Sequence, residues 1–399
     1  MRILWVTPNF LHPTTKGGQI RTLEMLRRLS ARHEIHFAAF ENPAEPEGVA
    51  GSSEYCYRAY PFHKHVPSQR SPAFLLQLAR GLISSMPVSQ SRFRSPELAR
   101  FVSTAIAERR FDRVVCDFLA AAGNFQSLGQ AVLFQHNVET MIWRRRVEHA
   151  SDPVRRAYLK LQANRMFAYE RRACRQAASV VAVSENDASL IREMFGVSRV
   201  ADIPTGANIE YFAPPPAPQH SADLVFIGSM DWAPNIDGVS WFVTDILPLI
   251  RAHKPDCSLV ICGRDPSPAI RALAERDPRI IVTGTVPDVR PWLWGSLVCI
   301  VPLRIGGGTR LKIYESMAAR IPVVSTSVGA EGLAGKNGEH LFLSDAPEQF
   351  ACRCVALLQS GQERLRMAES AWQLVSAKFS WEQVAHRFEE LIASPPPPA

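Results

Sequence analysis

The stretch VCIVPLRIGGGTRLKIYESMAARIPVVSTSVGAEGL, Val298–Leu333, decides the fold class of this chain. Its apolar start predicts a strand over Leu297–Pro302, and a glycine triplet follows at Gly306–Gly308. Helical spacing then covers Thr309–Ala319, and a second apolar strand is predicted over Pro322–Ser325. A strand, a Gly-rich turn, a helix and a strand in this order predict a βαβ unit of a parallel sheet.

The residues around this turn suit a phosphate and a diol. Glycines let the backbone approach a ligand, and the free N–H groups of a helix start favour an anion. Thr309 can cap the helix, Arg310 and Lys312 add positive charge, and Glu315 can accept hydrogen bonds from hydroxyls. We therefore predict a nucleotide-sugar site here. The alternative is an ordinary loop whose charged residues face solvent.

Composition indicates a globular protein of two domains. The chain has 399 residues, more than one compact core usually holds, with 46% hydrophobic and 21% charged residues. Its eight cysteines include no C-x-x-C pair, which favours small core residues in a reducing compartment and no zinc site.

The termini and the charge indicate where the protein acts. The start MRILWVTPNF predicts a strand rather than a signal peptide, and no apolar run reaches the roughly 18 residues that span a bilayer. We therefore expect a cytoplasmic protein, with any membrane contact peripheral at the inner face of the cell membrane. The net charge of +7 suits an acidic substrate or an anionic lipid surface. No nucleic-acid-binding motif accompanies this charge, so no nucleic-acid partner is expected.

The first half of the chain also alternates strands and helices. A strand over Ile3–Val6 leads into a long turn, Pro8–Gln19, which holds Gly17 and Gly18 before an amphipathic helix. The apolar strand Ala131–Phe134 ends in the polar string Gln135–Glu139. Because α/β sheets place ligand sites at the carboxyl ends of strands, His136 in this string is a candidate site residue. A capping or core histidine is the alternative.

Two further stretches organise the chain. Met141–Arg175 is rich in arginine with apolar residues at helical spacing, so it predicts one or two basic amphipathic helices. Such helices suit anionic lipids or a lipid-diphosphate acceptor, or they present an ordinary solvated face. Ala213–Ser221, with three consecutive prolines, cannot pair in a sheet and predicts an interdomain linker.

Several motifs resemble retaining GT-B glycosyltransferases of family 4 (group 1), of the type that builds bacterial polysaccharides. These are L-K-x-x-E at Leu311–Glu315, P-V-V-x-T from Pro322, I-P-x-G-x-N-x-x-Y-F at Ile203–Phe212 and HNVE at His136–Glu139. The resemblance implies an α/β GT-B fold, with two doubly wound parallel-sheet domains facing across a cleft. The implied parts are an acceptor-side domain (1–212), a linker (213–222), a nucleotide-sugar domain (223–378), a helix that crosses back (379–393) and a disordered tail (394–399).

The resemblance also assigns roles to residues. It implies that Arg310 and Lys312 stabilise the leaving diphosphate, that Glu315 holds the ribose and that His136 lies by the sugar or the acceptor. The first glutamate of the family's usual pair falls on Gly307. The other implied donor-binding positions are Gly17, Gly18, Gly228, Ser229, Arg264, Val286, Gly306, Gly307, Gly308, Thr309 and Leu311.

The expected reaction transfers a sugar from a UDP- or GDP-sugar to a glycan or lipid-linked acceptor. No metal and no cofactor are expected, since GT-B enzymes usually need none and no Asp-x-Asp motif occurs. Two alternatives remain open. One is another enzyme on this scaffold, such as a nucleotide-sugar epimerase. The other is a non-catalytic nucleotide-sugar-binding protein, because the Ser229–Asn235 loop lacks the family's basic residues.

Overall fold

The computed structural model describes residues 1–14, 17–63, 84–148, 150, 152–216, 221–305 and 311–393. It divides into two compact units. The first unit comprises Met1–Pro204 and Val384–Ala399, and the second comprises Thr205–Gln383.

The first unit is built on a seven-stranded parallel sheet. Its strands are β1 (Arg2–Asn9), β2 (Glu34–Phe40), β3 (Arg58–Phe62), β4 (Arg113–Asp117), β5 (Ala131–Phe134), β6 (Ser179–Ala182) and β7 (Val200–Asp202). Among the described residues up to Pro204, its helices are α1 (Gly17–Leu29), α2 (Glu47–Ala50), α3 (Val88–Ser91), α4 (Pro96–Ala107), α5 (Glu139–Glu148), α6 (Pro153–Gln176) and α7 (Glu185–Phe195). The spatial order β3-β2-β1-β4-β5-β6-β7 reverses direction at β1, so the switch point lies between β1 and β4. Doubly wound sheets bind ligands at that point.

The second unit repeats this plan with six parallel strands. These are β8 (Ala222–Ile227), β9 (Leu259–Cys262), β10 (Ile280–Gly284), β11 (Ser296–Val301), β12 (Val323–Ser325) and β13 (Phe342–Leu343). Its helices are α8 (Ile209–Phe212), α9 (Ala233–Trp241), α10 (Leu247–His253), α11 (Pro268–Arg276), α12 (Arg290–Trp294), α13 (Leu311–Ala318), α14 (Pro347–Gln359) and α15 (Gly361–Lys378). The order β10-β9-β8-β11-β12-β13 puts the switch point between β8 and β11. The predicted α/β class with two parallel-sheet domains is confirmed.

Both faces of each sheet carry buried apolar side chains, as expected for parallel sheets that helices cover on both sides. β1 has six consecutive buried residues and β9 has four, which is typical of strands covered by helices on both faces. Each sheet has its own hydrophobic core, one around Leu4 and Leu133 and one around Phe226 and Ile300.

The last helix, α16 (Trp381–Ala393), belongs to the first unit from Val384 onward. Phe388 on this helix is fully buried, and its ring lies 5.4 Å from the rings of both Trp5 and Phe134. Glu389 accepts a hydrogen bond from Arg32 at 3.0 Å. The predicted helix over 379–393 therefore packs on the N-terminal sheet.

The N-terminal segment of the first unit ends at Pro204, before the boundary that the sequence suggested at Phe212. Phe212 packs into the core of the second unit, and its carbonyl accepts a hydrogen bond from Trp294 Nε1 at 2.9 Å. The backbone of Ala207 pairs with Ser380. Residues 217–220 of the predicted linker and the tail 394–399 lie outside the described residues.

Three local predictions differ from the structure. Gly17 and Gly18 form the first turn of α1, not part of a turn that extends to Gln19. The sequence over Ser52–Tyr60 predicts the third strand, but this strand begins at Arg58, because Gly51–Glu54 form a 3₁₀ turn ahead of it. The basic stretch 72–100 predicts one helical region, of which residues 84–100 are described, and there α3 and the start of α4 are separate helices. No helix in the described part of the chain combines the length and apolarity needed to cross a bilayer.

Candidate functional site

His136 follows β5 and is fixed by a buried carboxylate at the end of β4. Its Nε2 lies 2.6 Å from Oδ1 of Asp117, whose side chain is fully buried. The other carboxylate oxygen, Oδ2, accepts hydrogen bonds from Trp5 Nε1 at 2.9 Å and from Thr22 Oγ1 at 2.7 Å. Because a carboxylate only accepts, Nε2 of His136 carries the proton. Its Nδ1 is therefore left with a lone pair.

Phe118 holds the imidazole ring in place from one side. The two rings stack with centroids 3.8 Å apart and planes 10° apart. Phe118 adopts a φ of 67°, a left-handed value that costs a non-glycine residue energy. A Cβ on Gly18 would lie 2.5 Å from Phe118 Cζ and 3.4 Å from His136 Nδ1. The start of α1 therefore fits against this ring pair only when residue 18 is glycine.

The surroundings keep His136 neutral. Burial lowers the pKa of His136, the Asp117 carboxylate opposes that shift, and Arg21 reinforces it. A neutral imidazole with its proton on Nε2 offers Nδ1 as a hydrogen-bond acceptor beside Gly18. This nitrogen atom can accept a hydrogen bond from a hydroxyl group, whereas an anion offers it no donor.

Glu170 on α6 fixes the backbone around His136. Its buried carboxylate accepts hydrogen bonds from Gln135 Nε2 at 3.1 Å and from the backbone N–H groups of Glu139 and Thr140 at 2.9 and 2.8 Å. It thus caps the start of α5 and binds residues that precede and follow His136 in the chain. Burial raises the pKa of Glu170 to about 7, and the hydrogen bonds with Thr140 oppose that shift.

The sequence prediction missed Asp117, Phe118 and Glu170. Asp117 is the last residue of β4, whose apolar run Val114–Cys116 is visible in the sequence, so the strand-end rule that selected His136 would also have selected it. Neither the φ of Phe118 nor the contacts of Glu170 with residues 30 to 35 positions away has a local sequence signal.

The second unit gathers its predicted residues at the carboxyl end of β8. A Cβ on Gly228 would lie 2.7 Å from Lys312 Nζ and 2.7 Å from Asn235 Nδ2. Lys312 donates to Asn235 Oδ1 at 3.3 Å, and its Nζ lies 4.1 Å from the ring centroid of Phe226. The ammonium group of Lys312 therefore lies against bare backbone at the switch point between β8 and β11.

The loop after β8 packs tightly against the end of β9. A Cβ on Gly263 would lie 1.8 Å from the carbonyl oxygen of Gly228, so glycine is required there. Arg264 donates from Nε to Ser229 Oγ at 2.9 Å, and its carbonyl accepts from Met230 N at 2.9 Å. The structure thus brings Gly228, Ser229 and Arg264 together with Lys312.

Glu315 lies one helical turn after Leu311 and Lys312 on α13. Burial raises the pKa of Glu315 to about 7, and the charge of Lys312 opposes that shift. Val286 follows β10 and packs partly buried against the core of this unit.

Five predicted residues, Gly306, Gly307, Gly308, Thr309 and Arg310, lie outside the described residues. Their roles remain predictions. Within the described ranges, no group of three His, Cys, Asp or Glu side chains could hold a metal ion.

Comparison with solved structures places both units in one class of fold. The chain matches a UDP- and glucose-bound structure of Alr3699/HepE from Anabaena with a TM-score of 0.67 at 14% identity, covering 99% of this chain and 100% of that one. It matches sucrose-phosphate synthase from Thermosynechococcus elongatus with a TM-score of 0.70 at 16% identity, covering 98% of each chain. The fold is that of the GT-B glycosyltransferases.

Family models identify the group within this class. Residues 15–211 match Glycosyltransferase Family 4, and residues 221–360 match Glycosyl transferases group 1. This chain belongs to the group 1, family 4 glycosyltransferases.

Curated relatives match over shorter segments. An uncharacterized 44.6 kDa protein in the cps region of Klebsiella pneumoniae is 23% identical over 172 residues, 41% of this chain and 44% of that protein. Spore coat protein SA of Bacillus subtilis is 32% identical over 75 residues, 18% of this chain and 20% of that protein. The chain therefore spans less than half the length of either relative.

The contact between Gly18 and the ring pair can be tested by Gly18→Ala. The added methyl group overlaps Phe118, so we expect the free energy of unfolding to fall by about 1–3 kcal/mol, the usual cost of overpacking. The side-chain NMR signals of His136 should shift as well. Urea unfolding and a ¹⁵N-histidine spectrum measure the two effects.

Gly129→Ala is the matched control in the same unit. A Cβ there would meet its neighbours at 3.4 and 3.9 Å, which is ordinary contact. A Gly18→Ala variant with the stability and His136 signals of the wild type would contradict the assigned packing.

Proposed function

We propose that this chain transfers a sugar from a nucleotide-sugar donor to a glycan or lipid-linked acceptor, with retention of the anomeric configuration. The observation that carries the proposal is the position of Lys312, whose ammonium group lies against the backbone of Gly228 at the switch point of the second sheet. A cation at the carboxyl edge of a parallel sheet, with space beside it where Gly228 has no side chain, suits a diphosphate.

We assign binding of the nucleotide-sugar donor to the second unit. Lys312 stabilises the negative charge that develops on the diphosphate as the bond from the sugar carbon to the phosphate oxygen breaks. Arg310 and the amides of Gly306–Thr309 are assigned to the same task on the basis of the family resemblance. The carboxylate of Glu315 accepts hydrogen bonds from the two ribose hydroxyls, and the backbone at Val286 contacts the base.

The first unit supplies His136. Its Nδ1, left unprotonated by the bond from Nε2 to Asp117, accepts a hydrogen bond from a hydroxyl of the transferred sugar or of the acceptor. Because the imidazole is neutral, it orients this hydroxyl without adding charge. Neither role requires a metal ion or a cofactor.

Named relatives support the substrate class and the pathway. The Anabaena neighbour was crystallised with UDP, with UDP and glucose and with UDP-glucose, which favours a UDP-sugar as donor. The Klebsiella relative is described by its place in a cps region, which favours synthesis of a cell-surface polysaccharide. We assign the chain to the cytoplasmic side of the membrane, where such donors are used.

The donor site can be tested by binding and turnover. A panel of UDP- and GDP-sugars should include one that raises the melting temperature of the wild type and releases nucleotide only when a lipid-linked acceptor is added. In Lys312→Ala, donor affinity should fall about 10- to 100-fold, which corresponds to the free energy of one hydrogen bond to a charged group.

Lys336→Ala is the control, because Lys336 is an exposed lysine of the same unit. Undiminished donor binding in Lys312→Ala would contradict the proposed site. Donor binding without nucleotide release across the acceptor panel would favour a non-catalytic binding protein. Interconversion of sugars without transfer would favour an epimerase.

The pKa of Glu315 gives a pH dependence of defined sign. Below about pH 7 this carboxyl is protonated and cannot accept from both ribose hydroxyls, so donor affinity should rise as pH increases from 6 to 8. Well below the pKa of Glu315, donor affinity can change by at most about tenfold per pH unit. Calorimetry with a nucleotide sugar avoids the terminal phosphate that titrates in UDP.

Glu315→Gln should bind the donor more weakly and without this pH dependence. Wild-type affinity that is constant or falls over this range would contradict the assignment of Glu315 to the ribose.

The basic helix α6 is assigned to peripheral contact with an anionic lipid surface. Val154 and Leu161 are exposed apolar residues on this helix, and Arg171, Arg172 and Arg175 line a surface cavity of about 390 Å³ near its end. Exposed apolar and cationic side chains on one helix are typical of interfacial binding.

Co-sedimentation with phosphatidylglycerol vesicles tests this contact. Binding should exceed that to phosphatidylcholine vesicles, weaken with salt and fall in an Arg171→Gln, Arg172→Gln double variant. Arg100→Gln, a change at an exposed arginine on α4, should bind like the wild type. Equal binding to both kinds of vesicle would rule out an anionic lipid surface.

A further inference from the structure

A cavity of about 630 Å³ opens at the amino edge of the first sheet, where its strands begin. Arg2 begins β1, Glu34 begins β2 and Asp112 directly precedes β4, and all three line the cavity. β1 has eight residues, so at about 3.3 Å per residue the two edges of the sheet lie about 25 Å apart. His136 follows the carboxyl end of β5, so the cavity is separate from the site around this histidine. Its volume is that of a small-molecule site.

Two charged side chains at the cavity are neighbours but do not pair. Arg2 and Glu34 are opposite residues in the parallel pairing of β1 with β2. Both residues are exposed, and within the described ranges neither side chain makes a hydrogen bond or an ion pair with another residue. The guanidinium therefore keeps its donors, and the carboxylate its acceptors, for solvent or a ligand.

The other charged groups at the cavity already have partners. Arg32 donates from Nε to Glu389 at 3.0 Å, and Nε2 of His33 lies 2.8 Å from the other oxygen of that carboxylate. The amino group of Met1 lies 3.3 Å from Nδ1 of the same histidine. Asp112 accepts a hydrogen bond from a backbone N–H group at 2.6 Å. Among the lining side chains, one cation and one anion therefore stay unpaired.

Tyr57 adds an aromatic surface to this polar lining. It lines the cavity and is nevertheless 73% exposed. Its backbone N–H donates to the carbonyl of Ile35 at 2.9 Å, which fixes the residue beside the start of β2. Its ring centroid lies 5.7 Å from that of His36. A tyrosine ring held in this way offers a large apolar face at a low cost in conformational entropy.

The lining disfavours charged ligands and purely apolar ones. An anion would lie beside Glu34 and a cation beside Arg2, and like charges placed together cost free energy. An apolar ligand would remove both charged side chains from water without replacing their hydrogen bonds. A neutral ring with several hydroxyls fits, because hydroxyls accept from the guanidinium and donate to the carboxylate. The C–H groups on one face of such a ring can pack on Tyr57.

We propose that Arg2, Glu34 and Tyr57 form a saccharide-binding site at the amino edge of the first sheet, which holds a neutral glycan away from the reacting groups. Binding to this site needs no nucleotide sugar, so it does not depend on the proposed transfer. Where that transfer holds, the bound glycan is a part of the acceptor or product remote from its reacting end.

Saturation-transfer NMR on the full chain, without nucleotide sugar, tests this site. The neutral probes are maltotriose, cellotriose and the trimer of N-acetylglucosamine, and the anionic probe is the trimer of galacturonic acid. At least one neutral trimer should bind with a Kd of about 1 mM, more tightly than the anionic trimer. In Tyr57→Ala this affinity should fall about tenfold, because the stacking surface is lost. Tyr57→Phe keeps the ring face and should bind like the wild type.

Glu34→Ala removes the acceptors and should also lower the affinity about tenfold. Glu97→Ala, a change at an exposed glutamate on α4 of the same unit, should bind like the wild type. Because Tyr57 and Glu34 are exposed, both variants should keep the melting temperature of the wild type. If Tyr57→Ala does not fold, Glu34→Ala decides.

The proposal is overturned if no neutral trimer binds at up to about 10 mM, or if neither Tyr57→Ala nor Glu34→Ala weakens binding. Tighter binding of the anionic trimer would overturn it as well. Nucleotide release with a short acceptor should be unchanged in Tyr57→Ala, and a loss there would contradict a site separate from the reaction. Saccharide binding through Tyr57 in a chain that transfers no sugar would refute the proposed function and leave this site standing.

Discussion

The carboxylate of Asp117 is the acceptor on which the N-terminal site depends. It lies at the end of β4 and accepts hydrogen bonds from Trp5 on β1, Thr22 on α1 and His136 after β5. An isolated buried carboxylate would be strongly unfavourable, so the three donors and the acceptor stabilise one another. The position of His136 and the proton on its Nε2 both follow from this single interaction.

In the second unit, the position of the functional side chain depends on close backbone packing and not on a buried carboxylate. Gly263 lets the end of β9 approach the carbonyl of Gly228, and the lack of a side chain at Gly228 leaves space for the ammonium group of Lys312. In both units the functional groups lie at the carboxyl edge beside the strand where the order reverses. A parallel sheet brings helix starts and strand ends together there.

Much of the fold follows from local patterns. The strand Ala131–Phe134 has the predicted limits, because a short run of four buried apolar residues is bounded by polar ones. The helix start at Gly17 was placed too late, since a glycine pair has the same appearance in a loop and in a first helical turn. The site was predictable where residues adjoin a strand end or a motif, as at His136 and Lys312. It was not predictable where partners are remote, as for Glu170.

The sequence by itself determined two parallel α/β halves, their Gly-containing turns and the family, because apolar spacing and motifs are properties of neighbouring residues. Only the tertiary structure decided which nitrogen of His136 is protonated and that the ring of Phe118 stacks on its imidazole. The partners of Asp117 are 19, 95 and 112 positions away along the chain. Which of them meet depends on the order of strands in the sheet, and that order is set by packing over the whole unit.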